Sequence, residues 1–390
     1  MNKRVVVVAL MAVFTVAACF VILGSVSVEM MDTLNINEAE LGSLVLTLFL
    51  TSCIVQLFIG PLVDKLGHKP LAIVGFAVTG ISILLLAFAV NFTMAMVACI
   101  FLGIGAMSLN TVGNTLIPAV LFKGKDPARA SNLGNVFFGL GYVLTPLLFT
   151  LFFKSMGYSA AVSILGVIII VFLIFSLTTS YPQVSSGFKF SMSFKLLQKT
   201  AVIIAALALF FYMSLEITMA TWSKPLMKEI FGGGVDASAK AGIVLSLFGA
   251  AMTVGRFIAS RIKNLTDIGA RVIVLMSLVS LIGIIIMVLT KTPTIAILAI
   301  LLIGLAFGPI FPNIVGITFA KFDPKLHGSI FGIIFTVGLL GSTFVPNFVG
   351  NLSAGGETVQ HSLLIAALMS GILLVIAWFI GRIGAPKKIQ

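Results

Sequence analysis

Apolar residues in this chain fall into long runs of about 20, separated by short polar breaks, which is the length a helix needs to cross a hydrocarbon core of about 30 Å. Twelve runs qualify: 5 to 28, 41 to 61, 71 to 91, 94 to 118, 131 to 153, 158 to 180, 200 to 222, 239 to 259, 270 to 290, 293 to 319, 328 to 350 and 361 to 381. The pattern predicts an all-α membrane protein of twelve transmembrane helices. A polar stretch from Tyr181 to Lys199, with Pro182, Ser185, Ser186 and Gly187, divides the runs six and six. The expected organisation is a six-helix bundle over 1–180, a cytoplasmic linker over 181–199 and a second six-helix bundle over 200–390. In the linker Phe188, Phe190, Phe194, Leu196 and Leu197 interleave with lysines, so either a short helix on the inner leaflet or a solvated loop fits it.

Composition agrees with this reading. Of 390 residues 59% are hydrophobic and 9% charged, against about a quarter charged in soluble domains. Counted with the N-terminus inside, 19 of the 24 Lys and Arg fall on the cytoplasmic side, while Glu29, Asp32, Glu38, Glu40, Glu229, Asp236 and Glu357 fall outside. That asymmetry orients the chain in a bacterial-type inner membrane with both termini cytoplasmic. The net charge of +12 is thereby topogenic and calls for no nucleic acid. Cys19, Cys53 and Cys99 all lie within predicted spans, so no disulfide framework is expected. Val16-Ala17-Ala18-Cys19 resembles a lipoprotein cleavage box, yet the apolar run continues to Val28 and an uncleaved first helix is expected.

Between the second and third runs lies Gly60-Pro61-Leu62-Val63-Asp64-Lys65-Leu66-Gly67-His68-Lys69. Its glycines allow two helix ends to pack closely, and Asp64 can cap a helix or pair with a cation. Arg129 is one such cation, unless it is simply a solvated charge on the positive side. The decapeptide fills every fixed position of the G-x-L-x-D-x-x-G-x-K/R loop, and on that ground the chain resembles the major facilitator superfamily. A second copy expected after span 8 has decayed: Gly255-Arg256 and Ser260-Arg261 keep the small and basic character, and no Asp follows. The expected inner gate is therefore lopsided, drawing on Gly60, Asp64, Gly67, Lys69, Arg129 and Arg256. Internal similarity supports two related halves. A slide of 203 places Gly105, Asn110, Gly113 and Thr115 on Gly308, Asn313, Gly316 and Thr318, and a slide of 200 places Gly141 and Pro146 on Gly341 and Pro346.

An ionisable side chain at lipid depth marks a functional site by default. Among acids, Glu216 in span 7 qualifies, about sixteen residues into its helix, and no Lys, Arg or His falls well inside a span. Two roles suit it: proton and substrate binding, or an interhelical hydrogen bond that holds spans together. Tyr212 shares its helix face, and Trp222 ends the helix as a substrate contact or an interfacial anchor. Asn110, Asn114 and Asn313 supply amide donors and acceptors suited to the hydroxyls of a neutral solute, or to gluing helices. The resemblance implies that spans 1, 4, 7 and 10 line a cavity, which favours substrate binding by Glu216, Tyr212, Asn110, Asn114, Asn313 and Trp222. Asn132, Asn135 and Asn347, in spans 5 and 11, are secondary, and Gln56 in span 2 suits lateral packing or gate lining. The groups Gly139 to Pro146 and Gly308 to Pro312 allow close crossing and bending.

The three histidines are dispersed, so no metal site is expected, and no phosphate-binding loop or nucleophile elbow points to an enzyme, an ATP-driven pump or a cofactor. Tyr212, Glu216 and Trp222, with Leu109 to Asn114, are similar to the fucose and glucose/galactose proton-symporter group. That group carries a span-4 carboxylate where Asn110 stands and a span-1 acid that this chain lacks. The expected function is a secondary transporter, acting as a monomer in the lipid bilayer, that moves a small polar solute, a sugar first, by alternating access with a proton as coupling ion. The rivals are an exporter of amphipathic drugs or metabolites, and a receptor or scaffold on a transporter fold.

Overall fold

The computed structural model describes residues 3–182, 190–232, 234–354 and 358–382. Its helices include twelve long and apolar enough to cross a membrane: α1 Lys3–Ser25, α2 Glu40–Leu66, α3 His68–Ala87, α4 Phe92–Gly124, α5 Pro127–Phe149, α6 Ser155–Leu177, α7 Thr200–Ile230, α8 Lys240–Arg261, α9 Leu265–Leu289, α10 Pro293–Ala320, α11 Pro324–Pro346 and α12 Val359–Ile380. This is the all-α, twelve-helix architecture that the apolar runs predict. Large apolar side chains such as Phe58, Ile81 and Leu151 are more than half exposed, as lipid-facing surfaces require. Of the connector, residues 183–189 lie outside the described residues, and Phe190–Leu196 is a short helix.

The breaks between helices are tighter than the hydropathy suggests. The decapeptide expected as a hinge loop is mostly helical: the helix runs through Pro61 to Leu66, and the next begins at His68. The chain turns at Gly67 alone, with φ 84° and ψ 175°, a left-handed backbone that glycine adopts without a Cβ penalty. In α10 the helix is interrupted at Gly308 and Pro309. Pro309 and Pro312 have no N–H to give the carbonyls of Leu305 and Gly308, which therefore need other donors in lipid.

By packing, the chain forms two compact units. One holds 1–124, 137–193 and 324–332, and the other holds 125–136, 194–323 and 333–390. In the first, α4 packs on α1, α2 and α3; in the second, α10 packs on α8 and on α9, and α7 lies against α8 and α12. Lys321, just past α10, donates to the Ile380 carbonyl at 2.9 Å and so holds a cation at the end of α12. Burial pushes the Lys321 ammonium below its usual value.

Inside each unit the same glycine seat recurs. A Cβ on Gly103 would stand 3.0 Å from the Leu48 carbonyl and 3.1 Å from Cβ of Thr51; one on Gly304 would stand 2.7 Å from the Phe248 carbonyl and 3.1 Å from Cβ of Ala251. The partners Leu48 and Phe248, and Thr51 and Ala251, are 200 positions apart. Gly141 and Gly341 likewise sit on the carbonyls of Phe14 and Phe210. The correspondence fails at Gly113 and Gly316. Gly113 packs on Val13 of α1, whereas Gly316 packs on the backbone of Pro127 and Ala128 at the start of α5.

These seats predict opposite effects for one substitution. Gly304→Ala drives a methyl group into backbone and is expected to cost about 1–3 kcal/mol. Gly249→Ala, in α8 with open space around the added atom, is expected to gain roughly 0.5–1 kcal/mol of helix preference. Thermal unfolding of the two purified variants checks the pair.

Candidate functional site

Glu216 and Arg256 form an ion pair, with Nη2 of Arg256 3.4 Å from Oε1 of Glu216; the arginine side chain is 3% exposed and the glutamate side chain 18%. The expectation that Glu216 lies without a cation is corrected here. Arg256 sits near the end of α8 and reads as a surface charge in one dimension, but its long side chain runs back into the helix packing. It is held there by the carbonyl that Pro312 leaves open, since Nε donates to Gly308 O at 3.3 Å. Nη1 donates to Asn135 O at 3.4 Å, and Nη2 also lies 3.4 Å from Sδ of Met252. These bonds are long, as for one guanidinium shared among several acceptors. Tyr212 is fully buried, donates to Phe307 O at 3.0 Å and stacks its ring edge-on against Phe307. The broken helix thus supplies acceptors to the tyrosine and to the arginine, one turn from Glu216.

The amides are buried. Asn313 and Asn132 are fully buried, with Nδ2 of Asn132 donating to Oδ1 of Asn313 at 2.9 Å. In the first unit Asn114 donates through Nδ2 to Oδ1 of Asn110 at 2.9 Å and to its carbonyl at 3.0 Å, and Gln56 donates to Thr111. Asn132 Oδ1, Asn313 Nδ2 and Asn110 Nδ2 find no protein partner among the described residues. Trp222 donates through Nε1 to Pro346 O at 3.1 Å. An open apolar groove of about 860 Å³ in the first unit, lined by Phe88, Met156, Tyr158 and their neighbours, contains none of these residues.

Asp64 acts as a helix cap. It accepts from the N–H of Gly328 at 2.8 Å and of Ser329 at 2.6 Å, and from Ser329 Oγ at 2.6 Å, where the N-terminal dipole of the helix from His327 favours an anion. A Cβ on Gly60 would run into the Gly328 carbonyl and stand 3.1 Å from Cα of Gly332, so only glycine fits there. Lys69 is exposed. Arg129, considered above as a partner of Asp64, belongs to the second unit and donates through Nε to Ser260 O at 2.9 Å.

A second carboxylate cap, which the motif search passes over, sits at Asp126. It accepts from Leu265 N at 3.0 Å, Thr266 N at 3.0 Å and Thr266 Oγ1 at 2.7 Å, the first residues of α9. It also caps its own helix through the N–H of Arg129 at 3.3 Å. The signal was present, since Asp followed by Pro is an N-cap with proline at the first helical position. Ala128 N donates to Thr266 Oγ1 at 3.0 Å, and Ala128, Ala259 and Leu265 form a small apolar core. The start of α5 is thereby docked on α8, α9 and α10. Asn264, just before the capped helix end, holds a left-handed φ of 55°, and earlier in the chain Phe122 and Lys123 have φ 50° and 57°.

A twelve-helix chain with a carboxylate-capped hinge and a buried ion pair defines a membrane carrier. The family model of the Major Facilitator Superfamily matches residues 8–346, and the chain belongs to that family. It is 27% identical over 287 residues to the purine ribonucleoside efflux pump NepI of Escherichia coli (strain K12), covering 68% of this chain and 69% of that protein. Solved structures with the same fold include the transporter FucP in the outward conformation, with a TM-score of 0.78 at 18% identity over 95% of this chain and 97% of that one. The proton:xylose symporter XylE bound to 6-bromo-6-deoxy-D-glucose gives a TM-score of 0.79 at 13% identity over 97% and 95%.

Asp126 is expected to matter to stability. Asp126→Ala leaves three backbone N–H groups, of Leu265, Thr266 and Arg129, and the Thr266 hydroxyl to find water, a loss of about 2–3 kcal/mol for bonds to a charged acceptor. Chemical or thermal unfolding in detergent checks the value.

Proposed function

We propose that this protein is a proton-coupled secondary transporter, working as a monomer by alternating access, for a small polar solute that carries a sugar ring. The observation that carries the reading is the Glu216–Arg256 pair, a carboxylate beside a guanidinium at the broken segment of α10. Such a pair is electrically neutral, so a neutral solute meets no unbalanced charge, and a proton taken by Glu216 is felt at once by Arg256. Tyr212 orients the site, Asn110, Asn114 and Asn313 offer amides once the packing opens, and Trp222 closes the far end of α7. Two six-helix bundles, 1–180 and 200–390, rock about this region. Asp64, Gly60, Gly67 and Lys69, with Arg129, form the cytoplasmic gate of an inner-membrane protein with both termini inside.

Export of a ribonucleoside is the second reading, favoured by the likeness to a purine ribonucleoside efflux pump. It shares the sugar ring with the first and differs in direction. Proteoliposomes loaded at one pH and diluted into another, with labelled adenosine, guanosine and a hexose as probes, separate the two. Wild type is expected to move at least one probe faster with the proton gradient than without it. Glu216→Gln is expected to keep counterflow exchange and to lose about tenfold or more of gradient-driven transport. Equal gradient-driven rates for Glu216→Gln and wild type would sink the coupling role.

A further inference from the structure

The docked start of α5 and the buried ion pair are joined by one side chain. Arg256 reaches Glu216 of α7 with Nη2 and the carbonyl of Asn135 in α5 with Nη1, both at 3.4 Å. Asn135 lies on the segment 126–135 that Asp126, Ala128, Arg129 and Asn132 fasten to α8, α9 and α10. We propose that Arg256 is a positioning residue through which the charge of Glu216 sets how tightly the start of α5 is docked. The inference rests on Glu216 being the proton or cargo carboxylate.

The sign follows from desolvation. Docking buries Arg256 to 2% exposure, and a buried cation is tolerable when a carboxylate answers it and costly when that carboxylate is neutral. Asn135 is itself buried and covers one side of the guanidinium. Lifting the start of α5 lets water or an anionic group reach Arg256 and relieves the cost. Ionised Glu216 therefore favours the docked segment, and neutral Glu216 favours its release. The titratable and charged groups that face Glu216 among the described residues are Arg256 from α8 and Tyr212 from its own helix. At the far end of the same contact Gly316 packs against Ala128, where the internal repeat is broken.

The same reading explains why the decayed hinge copy after α8 keeps its arginine. No acid stands at that position; Arg256 turns inward to Glu216, and the carboxylate that caps α9 is Asp126, at the start of α5.

Hydrogen exchange at one fixed pH, followed by mass spectrometry on peptides covering 126–135 of the full-length protein, tests the coupling. Glu216→Gln is expected to raise exchange there on the order of tenfold, because Arg256 loses its carboxylate. Arg256→Gln and the double variant Glu216→Gln/Arg256→Gln, which bury no cation, are expected to stay as protected as wild type. Rescue of the single variant by a second neutral substitution is an outcome that general destabilisation does not give. Unchanged exchange in Glu216→Gln, or a double variant as open as the single, overturns the proposal. Transport by the same Glu216→Gln protein keeps the two readings apart. Lost gradient-driven transport with unchanged exchange leaves the carboxylate's role standing and removes the link to α5. Raised exchange with unchanged transport supports the link and removes the coupling role.

Discussion

Lipid gives a protein no water with which to satisfy a polar group, so every carbonyl and charge inside the spans must be answered from within. The broken segment of α10 is where that constraint shapes this molecule. Pro309 and Pro312 withhold two N–H groups and leave carbonyls open. Of these the carbonyl of Gly308 takes Nε of Arg256, and the guanidinium so fixed requires an anion, which is Glu216; the neighbouring carbonyl of Phe307, which no proline frees, takes the hydroxyl of Tyr212. Breaking a buried pair of this kind costs about 3–5 kcal/mol, far more than forming it gains.

Two aspartates use the other device that a membrane helix offers, the exposed N–H groups of its first turn. Asp64 caps the helix that starts at His327 and Asp126 caps α9, each with bonds of 2.6 to 3.0 Å. Hydrogen bonds of this charged kind are strong and still reversible by a shift of one helix end. They differ in their setting. Gly60 and Gly332 bring backbones together beside Asp64, whereas Asp126 stands between two left-handed turns. The lopsidedness expected from the decayed hinge copy is thus a difference in how each cap is set.

Much of the fold was legible in one dimension because lipid solvation imposes run length. Twelve apolar runs gave twelve helices, and the motif left Asp64 as a cap or a cation's partner, of which the structure has the cap. The site was only partly legible. Glu216 stood out as an acid among apolar neighbours, and its relation to Tyr212 follows from helical spacing. Arg256 did not, because a charge five residues from a helix end looks like an interfacial anchor until one sees that a side chain of its length can turn back to an orphaned carbonyl. Asn110, Asn114 and Asn313 show the limit of residue type as evidence: an amide in a span suits cargo and helix packing equally, and here each is buried in contact with another polar side chain. The helical course of Gly60 to Leu66 was hidden by its glycine and proline, which read as loop while the break needs Gly67 alone.

The central claim is that a neutral, sugar-bearing solute and a proton move together through the Glu216–Arg256 pair. Charge movement on a solid-supported membrane tests this directly, since a neutral solute carries no current of its own. Adding a transported ribonucleoside or sugar to wild-type proteoliposomes without any pH gradient should produce a transient current that saturates with solute and disappears in Glu216→Gln. A solute that is carried with no current at any concentration, or an undiminished current in Glu216→Gln, would contradict the account.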